Sequence, residues 1–472
     1  MEMSVEKTVS GSIADFVAGT DFDDLPKDVV EVAKRCIVDG TGVMLAGSTE
    51  PCAQIARSYL TEIAGKEEAA TLGAGSLRAP AHLVALANGV AGHALDWDDT
   101  ALSLKKDRSV LIHPTMQPLC SGLAVGEVVG ASGRELLTAF ALGFDVQVKI
   151  AEAIAPEHFA GGRGFHSSGT IGVFGSTVTA AKLMGLDEEQ IRHALAIAAT
   201  MSAGLGVNHG TMSKPLNVGR ASETGVTAAR LARLGFDGPA RAFEAGRGFF
   251  EAFGGGFAPD RLFDRLGQPW ALLDPGTSVK PYPSGVVGHP GMDAMKTLVI
   301  EHGIEGEDVD RVIIRTGPNV INPGPLRIDH ATTALEGKFC VPFQMAAIIL
   351  RRTAGLSEFS DEFVGSEECQ MLQRKVEAML DPEIAALGKG RIVFEIELWT
   401  RDSRCYIQRS EDHYRGGPRN PLSWGELGEK FCDCAARVLT RERAEKAITQ
   451  VRSLEDEPGI SSLVKLLSGV GV

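Results

Sequence analysis

The chain has 472 residues, 44% apolar, 23% charged and only 6% aromatic, a composition that excludes general disorder and calls for more than one core, built mainly from Ala, Leu, Val and Ile. Its 61 acidic against 47 basic residues leave a formal charge of −14, which argues against nucleic acid as a partner and means that any anionic ligand must meet a local cluster of Lys, Arg and His. No apolar run of about 18 residues occurs, and MEMSVEKTVSGSIADFV lacks the charged-then-apolar pattern of a leader, so no membrane and a cytoplasmic location are expected.

In chain order, Ile13 to about Leu266 reads as helix after helix, with apolar residues at three and four, as in Val29, Val32, Ala33, Cys36 and Ile37. Pro26 after Asp24, and Asp187-Glu-Glu, mark helix starts, and strand patterns are nearly absent. Around Pro269 the pattern changes. Strand-like runs appear at 311–315 and 391–400, with 404–408 as a pairing partner, and helical patterns at 290–302, 340–353 and 367–380. After Gly416-Gly-Pro, helices return at 424–439 and 441–454, followed by a short apolar segment at 460–467. The expected fold is mainly α: a large all-α domain from residues 1–269 and 418–472, and a smaller inserted α+β domain from 270–417. The eight cysteines show neither CxxC nor cluster spacing and read as reduced, mostly buried thiols, which weighs against an iron–sulfur dehydratase.

Four segments carry chemistry. In Gly92-His-Ala-Leu-Asp-Trp-Asp-Asp-Thr100, with His113 beyond, three aspartates in four positions read either as caps and turns or as oxygen ligands for a divalent metal, though no metal motif backs the second reading. The glycine-rich run Gly161–Gly175 lacks the P-loop lysine and a preceding strand; most of its glycines suit close helix packing, and His166 falls at a helix start, where anions are favoured. In Asn208–Arg220 and in Lys280-Pro-Tyr-Pro-Ser284, a lysine directly precedes proline, which predicts an extended or turn geometry for Lys214 and Lys280. Lys214, Arg220, Lys280 and the histidines are expected to form together the cationic pocket that an acidic protein needs to hold an anion.

These segments, HALDWDDT with a following HP, FHSSGTIGVFG entering AAKLMGL, GTMSKPLNVGRAS, and KPYPS with a following histidine, resemble the signature segments of the MmgE/PrpD family. LPKDVVEVAKRCIVDGTGVMLAG and EGKFCVPFQMAAIIL agree, and the resemblance spans nearly the whole chain in order. It implies an all-α domain with an inserted α+β lid, a homodimer, a site between the domains, and proton transfer beside a carboxylate of a small polycarboxylic acid without metal or cofactor. By motif, it assigns Asp96, Thr100, His113, His166, Lys214, Lys280 and His289 to the site. Lys214 and Lys280 are expected to clamp carboxylates and His113 and His166 to move the proton, with Asp96 either orienting a histidine or accepting from a substrate hydroxyl. Thr100, Arg220, Tyr282 and His289 are expected to contact or support the substrate.

The leading expectation is a lyase of the 2-methylcitrate dehydratase type, with cis-aconitate-type decarboxylation and iminodisuccinate-type epimerisation as alternatives. Two further readings stand beside it: a carboxylate-binding homodimer without turnover, and a metal-dependent hydrolase using Asp96, Asp98 and Asp99. The chain departs from the family pattern at Asn217, where many members carry histidine, at Gly285, where many carry cysteine, and in a longer 101–112 loop bearing Lys105, Lys106 and Arg108.

Overall fold

The computed structural model describes residues 8–469 apart from 64, 106–107, 159–161, 323 and 389–390, and only the backbone of 103–105 and 108–109. Lys106 and Gly161 therefore lie outside the described residues, as do residues 1–7 of the N-terminal reading and the side chains of Lys105 and Arg108. The protein is predominantly helical, and its contacts divide it into two compact units.

The first unit comprises residues 1–102, 110–277 and 423–472. Its helices start where the local chemistry supplies a cap. Asp187 accepts the Gln190 amide at 2.8 Å while Gln190 returns a bond to Asp187, which opens the helix Glu188–Met201. Pro26 is the N-cap of Lys27–Gly47, a position needing no donor. The helices Ala81–His93 and Ser213–Arg233 approach through glycine: a Cβ on Gly89 would stand 2.8 Å from the Gly219 Cα. That crossing matters for the site, because His93 lies one turn beyond Gly89 and Lys214 just over one turn before Gly219. Gly172 and Gly175 likewise admit Gln117 and Gln147 side chains, the packing use expected of that run.

The all-helical expectation for this region needs two corrections. Residues 69–70 and 78–79 form a short antiparallel pair, and the stretch read as a long loop after Thr100 is a hairpin of Ala101–Lys105 and Arg108–Ile112. Residues 270–277 also stay with the first unit, because the buried Asp145 carboxylate accepts the Gly267 and Ala271 amides at 2.9 and 2.7 Å.

The second unit comprises residues 103–109 and 278–422. Its four-stranded sheet runs in the order 376–380, 309–316, 394–400, 405–409. Phe394, Ile396, Leu398 and Thr400 alternate inward, and Gly291 at the start of the helix His289–Glu301 leaves room for Phe394. Residues 405–409 pair antiparallel with 394–400 as expected. The expected helix 367–380 ends at Gln373, and Val376–Leu380 is a strand parallel to 309–316. Its sequence, VEAML, favours helix locally, and pairing with the sheet overrides that preference.

Candidate active site

The first unit gathers most of the sequence-predicted chemistry around the C-terminal end of the helix Ala81–His93. The chain leaves that helix through a tight turn in which Asp96 takes φ 54°, a left-handed conformation that aspartate tolerates better than most residues. The turn sends its three aspartates to three different partners. Asp96 accepts from Lys214 Nζ at 2.6 Å. Asp98 accepts from His93 Nδ1 at 2.8 Å, and His113 Nδ1 stands 3.2 Å from the same oxygen, within ion-pair range but off the line of a hydrogen bond. Asp99 accepts from the hydroxyls of Thr115 at 2.8 Å and Thr277 at 2.6 Å, bracing the turn from behind. Lys430 holds the same turn from the C-terminal helices, bonding Asp39 at 2.5 Å and the Trp97 carbonyl at 3.1 Å.

Lys214 belongs to the first turn of the helix Ser213–Arg233, not to the extended segment expected from the following proline. A proline in a first helical turn forfeits no hydrogen bond, so Lys-Pro is compatible with a helix start. His166 is the N-cap of the short helix Ser167–Thr170, as its position predicted, and its amide donates to Gly204 O at 3.1 Å. The His113 amide donates to Ser168 Oγ at 3.0 Å, which ties the hairpin exit to that helix. Four imidazoles follow one another in ring contact: His113 to His93 at 4.6 Å, His93 to His166 at 5.6 Å and His166 to His209 at 5.6 Å.

Burial decides the charge state of this cluster. It pushes His93 down to about 4 and His166 well below the ordinary imidazole range, so both are neutral at physiological pH. Burial pushes Asp98 the other way, but His113 and His93 together outweigh it and hold the carboxyl well below its usual range. Asp99, desolvated and surrounded by other carboxylates, is pushed up to about 7. Several buried polar atoms here have no protein partner: His93 Nε2, His166 Nδ1, Asp98 Oδ1 and Thr100 Oγ1. Unfilled positions of this kind are costly unless a ligand fills them.

His93, Asp98 and His113 bring their ligating atoms within 4.8 Å of one another, the donor set of a two-histidine, one-carboxylate metal site. Coordination through Nδ1 would put the remaining His93 proton on Nε2, and that buried nitrogen has no acceptor. The arrangement fits instead an imidazole that donates Nδ1–H to Asp98 and keeps an open Nε2 lone pair. The Asp96, Asp98 and Asp99 set read as a metal site does not converge, because each carboxylate serves a different partner.

Other expectations fall outside this cluster. Arg220 is exposed and paired with Glu223; six residues on from Lys214, it lies about 120° around the same helix, away from the buried face. In the second unit, Lys280 and His289 are buried, and His289 Nε2 lies 3.2 Å from Ser284 Oγ. Tyr282 donates its hydroxyl to Asp293 at 2.7 Å and takes a bond from Arg415, so it is engaged inside that unit. Asn217 contacts the 204–205 backbone, its amide donating to Leu205 O at 3.4 Å, and a Cβ on Gly285 would press on Leu326. The sequence reading assigned no individual role to His93, signalled by its five-residue spacing from Asp98 across a helix end, or to His209, which lies in the Asn208–Arg220 segment.

The sequence model of the MmgE/PrpD N-terminal domain matches residues 11–262, and that of the MmgE/PrpD C-terminal domain matches residues 282–456. The chain is 29% identical to the cis-aconitate decarboxylase of Homo sapiens, over 98% of this chain and 95% of the relative. It is 28% identical to that of Mus musculus, over 99% and 94%, and 22% identical to one from Aspergillus terreus, over 99% and 97%.

Proposed function

Because the chain belongs to the MmgE/PrpD family and is a lyase, we propose that it decarboxylates an unsaturated tricarboxylic acid of the cis-aconitate type. Similarity along almost the full length to relatives named for that reaction supports decarboxylation above the 2-methylcitrate dehydration expected from the sequence. The observation that carries the chemistry is the His93–Asp98–His113–His166 cluster with the Lys214–Asp96 pair at its edge, which has open polar atoms at His93 Nε2, His166 Nδ1 and Thr100 Oγ1.

The reaction needs charge stabilisation and one proton. In such an acid, the carboxylate on the methylene arm leaves as carbon dioxide, and its bonding pair becomes the new alkene. The electrons of the old alkene move to the next carbon and spread into the carboxylate attached there. Lys214 binds that carboxylate and stabilises the charge as it grows, an effect worth about 10²–10³-fold in rate at comparable sites. His166 delivers the proton to the carbon, and His113 stands beside it with Nδ1 3.2 Å from Asp98. Both His93 and His166 are neutral without ligand, so a bound trianion raises their proton affinity and draws protons in. Asp96 positions Lys214, and Thr100 offers its open hydroxyl to a substrate oxygen.

Lys280 as a second carboxylate ligand, His289 as its support, homodimerisation and a cofactor-free reaction are carried into the proposal from the family resemblance alone. The purified enzyme, treated with chelator and given cis-aconitate, 2-methylcitrate, citrate and iminodisuccinate separately, tests the reading. Carbon dioxide release from cis-aconitate alone supports it; dehydration of 2-methylcitrate without carbon dioxide release overturns it in favour of the hydro-lyase.

A further inference from the structure

We propose that His209 is a proton relay between solvent and His166, carrying in the proton that each decarboxylation consumes. The inference rests on the reading above. Loss of carbon dioxide from a carboxylate leaves a carbanion that takes one proton on carbon, so every turnover removes one proton from the cluster and one must enter from water. His93 and His166 are buried and His113 nearly so, whereas His209 is exposed and its ring meets that of His166 edge-on at 5.6 Å.

The segment around His209 is fixed to the segment it would serve. Gly206 donates its amide to Gly164 O at 2.7 Å, and the His166 amide donates to Gly204 O at 3.1 Å, so the 204–209 turn and His166 form one backbone assembly. His209 Nδ1 donates to Gly206 O, which sets the tautomer and leaves Nε2 as the nitrogen that can accept and pass a proton. On the receiving side, His166 Nδ1 is buried without a partner. Between Ser202 and Ser213, His209 is the single titratable side chain; the exposed Leu205, Val207 and Met212 around it cannot carry a proton. The charged and titratable groups facing His209 are His166, Lys214, His113 and Asp96, the cluster it would feed. Asn217 Nδ2 donates to Leu205 O at 3.4 Å, which fastens the same turn to the helix Ser213–Arg233.

The test is steady-state decarboxylation of cis-aconitate by the full-length wild type, H209A and H209Q, with and without added imidazole. The relay predicts a fall in kcat of about tenfold or more with KM changed by less than about threefold, and recovery of H209A as imidazole concentration rises, because a free imidazole can replace a proton carrier but not a packing contact. Unchanged kcat, or a loss that imidazole does not restore, overturns the relay while wild-type turnover leaves the decarboxylase reading standing. No turnover by the wild type overturns both.

Discussion

The two units differ in how fully the buried polar groups around their signature residues are paired, although Asp293 Oδ2 in the second also lacks a partner. In the second, Tyr282, Asp293 and Arg415 bond one another and Lys338 bonds the Pro283 carbonyl, so the KPYPS segment is fastened from within. In the first, Asp98 gathers two imidazoles, yet His93 Nε2, His166 Nδ1 and Asp98 Oδ1 are left open in the same desolvated space. Both regions carry signature residues. A more closed network stabilises a conformation, whereas an open one keeps capacity for a ligand and for proton transfer.

The sharpest way to break this contrast is Asp98→Asn, which keeps the shape but removes the charge that holds both imidazoles. Decarboxylation should fall about 10³-fold with circular dichroism unchanged. Lys214→Met should cost about 10²–10³-fold in kcat/KM, measured on the same substrate, because it removes the cation placed to stabilise the growing charge. A third expectation concerns protons. His93 titrates near 4 when folded and near 6.5 when unfolded, so its contribution to stability is complete above about pH 6.5 and is lost as pH falls toward 4. Denaturant melts of the ligand-free protein across that window should show the loss, and His93→Gln should flatten it. In the closed network, Tyr282→Phe should leave kcat/KM within about twofold and reduce stability by about 1 kcal/mol. Arg220→Ala, on the exposed side of its helix, should change neither activity nor stability by more than about 0.5 kcal/mol.

The same contrast explains what the sequence made legible. Helical periodicity and capping residues such as Asp187 are local signals, and the helices they announce are present. The strand 376–380 is not local, because its identity comes from pairing with 309–316 more than sixty residues away. At the site, Asp96, His113, His166 and Lys214 were legible as motif members, and the structure brings them together. His93 was overlooked because a histidine at a helix end reads as a cap until its distance to Asp98 is known. His209 is placed by the 204–209 turn alone, and Arg220 misled because a basic residue near Lys214 in sequence is on the exposed face once the segment is helical.

The most direct test of the central claim is to run the reaction on cis-aconitate in D2O and examine the product by NMR while trapping carbon dioxide. The account predicts one carbon dioxide per substrate consumed and a single deuterium in the product, on the carbon next to a retained carboxylate, with both signals lost in Asp98→Asn. Consumption of cis-aconitate without carbon dioxide release, or a product carrying no deuterium at that carbon, would contradict it.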